Sequence, residues 1–279
     1  MEGIEHLNLA HTFECGQCFR WEKEKNGSYT GVVGQKVINI CESQPKTFEI
    51  HNVTVEAWQD TWADYFDIHR DYGAIKQVLS RDEMLAKAVA FGWGIRILQQ
   101  DLWECIISFI ISSNNIIPRI KKIIEEIAKK YGRPLIYKGK VYYSFPKPED
   151  LYDQTMDDLA FCKSGYRCRY LLDAARAVCE KEVDLHLLPK LSTAQARAQL
   201  MKIKGVGPKV ADCILLFGLQ RYEAFPADVW VKRIIKQWYM DNDSGFRKIK
   251  DFSNKNDGIL AGFAQQYLFY YAREHKMQD

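Results

Sequence analysis

The sequence predicts an α+β protein, with an antiparallel β-rich domain over residues 1–70 and a larger all-helical domain over residues 71–279. Three observations predict it. An Asn26-Gly27 pair, a strong hairpin signal, separates two runs rich in aromatic and β-branched residues, 18–22 and 29–33. Residues 36–40 and 47–50 continue the pattern with partial alternation, so the first seventy or so residues read as a meandering sheet. After about Asp71 the apolar period becomes helical: Trp103, Ile106, Ile107, Ile110 and Ile111 fall at i, i+3, i+4, i+7 and i+8.

The other elements follow in order. Ile120, Ile123, Ile124, Ile127 and Ala128 repeat the helical spacing, and Glu125 with Lys129 and Glu126 with Lys130 form the i, i+4 pairs of a solvated face. Residues 136–142 predict a small inserted hairpin, closed by Pro146 and Pro148. Helical segments are expected over 150–162, 166–182, 193–203, 208–219, 228–238 and 258–273.

Composition bounds the function. At about 150 residues per domain, 279 residues suggest two domains. With 47% apolar and 27% charged residues the chain is globular rather than disordered. The longest near-apolar run, 105–111, is too short to cross a bilayer, so no membrane association is expected. No signal-like stretch opens the chain, which argues for an intracellular protein with reduced thiols. A net charge of +3 neither requires nor excludes nucleic acid. No two of the six histidines sit at metal-binding helical spacing, and no metal or organic cofactor is expected.

The stretch richest in chemistry is 200–213, LMKIKGVGPKVADC. A helix is expected to end near Ile203, Gly205 and Gly207 to let the chain turn tightly, and Pro208 to open the next helix, where no amide hydrogen is needed. Loop amides at such a start favour an anion, and a DNA phosphate would fit. Helix–Gly-Val-Gly–helix is the form of a helix-hairpin-helix unit, here near 193–219. Lys209 falls in the first helical turn, where the dipole disfavours an added proton. An unperturbed lysine is neutral only about four times in ten thousand at pH 7, so a lowered pKa would make a usable amine nucleophile. A phosphate-facing or solvated lysine is the plainer alternative. Asp228 precedes the amphipathic run Val231, Ile234, Ile235 and Trp238, which makes it a good N-cap. A carboxylate held by helix amides also stays ionised beside a developing cation, and the two uses are compatible.

GVGPKVADC followed by PADV resembles the helix-hairpin-helix glycosylase superfamily, in which a lysine after the hairpin and a downstream aspartate form the active site. Further stretches are similar to 8-oxoguanine DNA glycosylase: GQCFRW at 16–21, DLWECIISFIISSNN at 101–115, SSNNIIPR at 112–119, GYRCRY at 165–170 and GFAQQYLF at 262–269. The resemblance runs from about residue 13 to about residue 272. It implies a TATA-binding-protein-like N-terminal domain on a helical glycosylase core. It also implies excision of 8-oxoguanine, preferably opposite cytosine in duplex DNA, by a monomeric glycosylase and β-lyase that uses a lysine Schiff base.

By this resemblance Lys209 is the nucleophile and Asp228 its electrostatic partner. Phe269 stacks on the flipped base, Gln265 bonds its Watson–Crick edge and Cys213 covers its other face. The residues agree in part: Gln265 and Phe269 lie about 140° and 180° from Leu260 at 100° per residue, off the apolar stripe of Leu260, Phe263, Ala264, Tyr267 and Tyr271. Cys213 is i+4 from Lys209 and shares its face. A backbone carbonyl at Gly16 would accept the N7 hydrogen that 8-oxoguanine carries and guanine lacks. Asn114, Arg119 and Arg167 resemble the residues that hold the orphaned cytosine, and Tyr166 the wedge that fills the stack. The family commonly has a histidine two positions after the aspartate, where this chain has Trp230. No cysteine follows Asp228, so no iron–sulfur cluster is expected. The rival readings are a glycosylase for another damaged base, a non-catalytic DNA-binding module, and a thiol redox protein built on the CxxC at Cys15 and Cys18.

Overall fold

The structure, a computed structural model, describes residues 1–239 and 260–277. Strands β1 (Trp21–Lys23), β2 (Tyr29–Val33), β3 (Lys36–Gln44) and β4 (Thr47–His51) form an antiparallel sheet in sequence order. The Asn26-Gly27 turn joins β1 to β2, with Asn26 Oδ1 accepting from the Ser28 amide and hydroxyl. Trp21 lies opposite Gly31, and a Cβ there would come within 2.4 Å of the indole. The bare glycine lets the ring lie across β2 and stack on Phe13 at 4.0 Å, while its Nε1 donates to the Tyr65 hydroxyl.

The first seventy residues are not all strand. Helix α1 (Leu9–Glu14) precedes the sheet, with Asn8 Oδ1 accepting from the His11 amide. Residues 18–20 lie outside β1. After β4 the chain is helical over 55–65, with a π-helical turn at Trp58–Trp62. Burying Trp62, Tyr65 and Phe66 on one side favours a helix over continued strand.

The helical part begins with α2 (Tyr72–Leu79) and α3 (Glu83–Phe91), capped by Asp71 and Asp82. Helix α4 (Leu102–Ser112) starts at Asp101, whose Oδ1 accepts from the Glu104 amide. Eight of its 11 residues are buried, so it is a central helix rather than a one-sided one. Helix α5 (Ile117–Tyr131) keeps the expected stripe, burying Ile120, Ile123, Ile124, Ile127 and Ala128. The inserted hairpin is present as β5 (Pro134–Tyr137) and β6 (Lys140–Tyr143).

The continuous helix expected over 150–162 is broken. Helix α6 (Pro148–Tyr152) ends early, and a short 3-10 turn at Ala160–Cys162 follows. Between them Asp158 Oδ2 accepts from the Thr155 amide and hydroxyl, a local turn that competes with the helix ladder. Helices α7 (Arg167–Cys179), α8 (Thr193–Leu200), α9 (Pro208–Leu219), α10 (Val229–Tyr239) and α11 (Ala261–Glu274) complete the fold. Residues 258 and 259, expected in the last helix, lie outside the described residues.

Two cores result. One gathers Phe13, Trp21, Ile38, Ile40, Phe48, Trp62 and Phe66 under the sheet, together with Leu98. The other holds the helices, and Cys15 and Phe19 belong to it although they precede β1. Residues 13–19 therefore thread from one core to the other, which carries Gly16 to the helical side. Among the described residues no helix is long and apolar enough to cross a membrane.

Candidate active site

The hairpin lies between α8 and α9. Ser192 caps α8 in a reciprocal pair with Gln195, and Arg197 on α8 reaches Asp212 on α9 at 2.6 Å. Gly205 has φ +91°, and a Cβ there would lie 2.6 Å from the Tyr170 ring, so conformation and space both demand glycine. Gly207 is different from what the sequence suggests. Its backbone is extended (φ −87°, ψ −179°), which any residue adopts, and a Cβ there would meet nothing within 4 Å. The tight turn belongs to Gly205 alone. Gly207 leaves bare backbone in open space at the start of α9, with Pro208 in the first turn as expected.

Lys209 sits in the first turn of α9, half-buried, with Nζ 6.0 Å from the centre of the Phe109 ring. Its proton is held more tightly than the helix dipole alone suggests. Burial pulls the ammonium down, but the Cys213 side chain and the Asp228 carboxylate outweigh it, and the pKa stands above that of a free lysine. The lowered pKa expected from the dipole is therefore overturned by the neighbours that the fold supplies. Burial pushes the Cys213 thiol up, against the pull of Lys209.

Asp228 caps α10: its Oδ1 accepts from the Val231 amide at 2.9 Å, and its carbonyl starts the helical ladder at Lys232. Burial raises its pKa, and the amides of Val231 and Trp230 with the charges of Lys209 and Arg273 only partly offset this.

Lys209 and Asp228 open onto one cleft of about 350 Å³, shared with Gly16, Phe19, Phe109, Trp230, Phe269 and Arg273. Gly16 takes φ +84°, and its missing Cβ would lie 2.9 Å from the Phe269 ring and 3.1 Å from Arg273 Nη1. Three residues flanking Gly16 are fastened. Arg273 Nη2 donates to the Glu14 carbonyl at 2.6 Å, and Gln266 Nε2 to the Cys15 carbonyl at 3.0 Å. Gln17, fully buried, bonds Thr12, Arg96 and Leu98 through its side chain. Cys15 and Cys18 are also buried, with thiols pushed up by burial, the reverse of the exposed, acidic thiol that the redox reading needs.

Helix α11 is buried nearly all round, so Gln265 and Phe269 do not face open solvent opposite a core stripe. Phe269 lines the cleft. Gln265 and Cys213 do not line it; both are buried, and Gln265 Oε1 has no hydrogen-bond partner among the described residues.

Beside the cleft lies a second predicted group. Asn114 is exposed with φ +49°, and Arg119 is exposed and donates to the Lys163 carbonyl at 3.1 Å. Tyr166 is 56% exposed at the start of α7, within reach of Tyr170. Arg167 instead is buried, donating to the carbonyls of Ser113, Asn114 and Ser164. It ties α7 to the 113–114 loop, and one of its five N–H groups has no acceptor among the described residues. Ser112, Asn115, Ile116 and Pro118 of the same loop line the cleft, so this group borders it.

Sequence reading missed Phe109, Gln266 and Arg273. Phe109 is hidden in the apolar run of α4. Arg273 carried a usable signal, since it is i+4 from Phe269 on the same helix face. For metal ligands, the one mixed group among the described residues is Cys41, Glu49 and His51, whose donor atoms lie within 4.8 Å of one another on β3 and β4. None of the three lines the cleft.

Comparison with known proteins agrees with this geometry. Residues 2–106 match the family described as 8-oxoguanine DNA glycosylase, N-terminal domain, and residues 107–255 match the HhH-GPD superfamily of base excision DNA repair proteins. The N-glycosylase/DNA lyase of Saccharomyces cerevisiae is 32% identical, over 84% of this chain and 68% of that one. The solved structure of MBOgg1 with a low-affinity DNA ligand is 48% identical, with a TM-score of 0.93 over 99% of this chain and 95% of that one. The Clostridium acetobutylicum 8-oxoguanine glycosylase/lyase, solved with duplex DNA containing cytosine opposite the lesion, is 46% identical, with a TM-score of 0.92 over 98% and 93% of the two chains. A hairpin lysine, a capping aspartate and a fastened glycine around one cleft, on a chain matched from residue 2 to residue 255, place this protein in the 8-oxoguanine DNA glycosylase family of the HhH-GPD superfamily.

Proposed function

We propose that this chain is an intracellular, monomeric DNA-repair enzyme that excises 8-oxoguanine, preferably opposite cytosine, and then cleaves the strand as a β-lyase. The observation that carries the reading is the single cleft holding Lys209, Asp228, Gly16 and Phe269 together, although they come from four separate parts of the sequence.

The everted base enters beside Phe269, which offers its ring for stacking. The Gly16 carbonyl accepts the N7 hydrogen that marks the lesion, and repels the N7 lone pair of guanine. Gln265 Oε1, buried without a partner among the described residues, accepts from the Watson–Crick N–H groups. Cys213 covers the opposite face of the base. Tyr166 fills the emptied position in the stack, while Asn114, Arg119 and the spare N–H of Arg167 serve the orphaned cytosine. The bare backbone at Gly205 and Gly207 receives a phosphate.

Lys209 starts as an ammonium and must lose a proton before it attacks. Asp228, with its carboxyl raised by burial, is the base placed to assist. The amine lone pair then forms a bond to C1′ as the C1′–N9 bond breaks, with its electrons going to the base. Once it has passed that proton to solvent, the Asp228 carboxylate stabilises the positive charge that develops on the sugar. Ring opening gives the imine, loss of a C2′ proton expels the 3′ phosphate, and hydrolysis frees the lysine.

Borohydride trapping on an 8-oxoguanine·cytosine duplex tests this. The expected result is a covalent protein–DNA adduct that disappears in Lys209→Gln. A wild-type chain that gives no adduct with 8-oxoguanine but traps on another lesion would overturn the substrate, and one that traps on none would overturn the enzyme.

A further inference from the structure

We propose that Arg273 stabilises the departing base, its Nη1 donating to O8 of the everted 8-oxoguanine as the glycosidic bond breaks. The inference rests on the function proposed above and adds to it a leaving-group catalyst that neither the motifs nor the expected site contains.

Arg273 has five N–H donors. Nε and one Nη2 hydrogen go to the Glu274 carboxylate at 2.9 and 2.7 Å, and the other Nη2 hydrogen goes to the Glu14 carbonyl at 2.6 Å. Nη1 keeps two hydrogens. It is buried and has no acceptor among the described residues. An orphaned cationic donor is costly in a native interior, and its position says what would satisfy it. Nη1 lies 3.1 Å from where a Gly16 Cβ would be, the guanidinium carbon lies 5.5 Å from the centre of the Phe269 ring, and the residue lines the cleft. The two bonds to Glu274 and the one to Glu14 fix the guanidinium plane, so the free edge is aimed before any ligand arrives.

The chemistry of the lesion supplies the acceptor. When the Gly16 carbonyl takes N7–H, the neighbouring oxygens along that edge are O8 and O6. O8 is carried by C8, which is bonded directly to N9 where the bonding electrons land, whereas O6 is reached only through C4, C5 and C6. In the intact nucleoside O8 is a neutral carbonyl oxygen; as C1′–N9 breaks it takes on negative charge. A fixed cation there binds the transition state better than the ground state, which is the condition for faster chemistry. The proton balance closes without an added reagent: the Lys209 nitrogen loses a proton as it bonds C1′, and the base anion gains one at N9. Phe269 packs against both Gly16 and Arg273, so the ring must swing aside for the base, uncovering carbonyl and guanidinium together.

The test separates base excision from strand cleavage. Arg273→Gln and Arg273→Lys are compared with wild type under single-turnover conditions at saturating enzyme, on an 8-oxoguanine·cytosine duplex and on a duplex with a preformed abasic site. No base leaves in the second reaction. We expect Arg273→Gln to slow excision roughly 10²-fold, Arg273→Lys to lose less, and abasic cleavage to stay within about twofold of wild type. Excision at the wild-type rate in both variants would overturn the proposal. Excision and abasic cleavage falling together would also overturn it, because Arg273 would then act on the Lys209 chemistry or the fold and not on the departing base. A wild-type chain inert on the 8-oxoguanine duplex would instead sink the parent reading, and this one with it.

Discussion

The two sides of the cleft are built differently. On the Gly16 side, Glu14, Cys15 and Gln17 each accept a hydrogen bond at the backbone carbonyl, from Arg273, Gln266 and Gln100. Gln17 adds three more through a side chain with no exposure. On the other side, Asn114, Ile116, Pro118 and Arg119 are exposed, and the 113–114 turn leans on Arg167. One side is set before DNA arrives; the other has exposed side chains free to adjust to it. A base differing from guanine by one hydrogen and one oxygen calls for fixed geometry, whereas an orphaned base can be met by side chains that move.

Breaking the rigid side should have the largest effect. Gly16→Ala forces an L side chain into φ +84° and into the Phe269 ring, and we expect 8-oxoguanine excision to fall about 10²-fold from misplacement alone. Single-turnover rates beside an unfolding curve check this; a loss of stability beyond about 2 kcal/mol would mean that the fold failed instead. The next effect is on pH. Burial lowers the Lys209 pKa, but Cys213 and Asp228 raise it by more, so the amine fraction and the excision rate should still be climbing at about pH 8 and above. Asp228→Asn removes one group that holds the proton. Its ceiling should fall while its climb begins at lower pH, and a profile displaced to higher pH would contradict the electrostatics. On the adaptable side, Tyr166→Ala should weaken binding to lesion-containing duplex by about 1–3 kcal/mol, read by fluorescence anisotropy, with no change in melting temperature. The smallest effect is expected from Gly207→Ala. Its backbone is extended and its surroundings open, so stability should hold and only salt-sensitive DNA affinity should drop.

Much of this was legible in the sequence wherever the signal is local. Asn26-Gly27, the stripe of α5, the helix-hairpin-helix and the Asp228 cap each depend on residues within a turn or two of one another, and each is where the pattern put it. The failures are equally physical. The 55–65 segment reads as more sheet until its large aromatics are seen to share one core. The 150–162 segment has helical apolar spacing, but the Thr155–Asp158 turn interrupts it. Gly207 looks like a turn glycine beside Gly205, though only Gly205 has Tyr170 against it. The protonation of Lys209 could not be read from its place in the helix, because Asp228 is contributed by a different helix. Arg273 needed the whole fold, since its unsatisfied nitrogen is defined by Gly16 and Glu14. Cys41, Glu49 and His51 likewise meet only through the β3–β4 register.

The bond from Gln266 to the Cys15 carbonyl spans 251 residues, and that from Arg273 to Glu14 spans 259. During synthesis the reactive lysine leaves the ribosome some sixty residues ahead of these partners. A nascent or truncated chain stopped before helix α11 would hold the amine and Gly16, but not the Gln266 and Arg273 bonds that fasten the residues just before Gly16. The helix that braces the Gly16 side is thus translated well after the amine it works beside, so the two halves of the cleft meet only once helix α11 has docked.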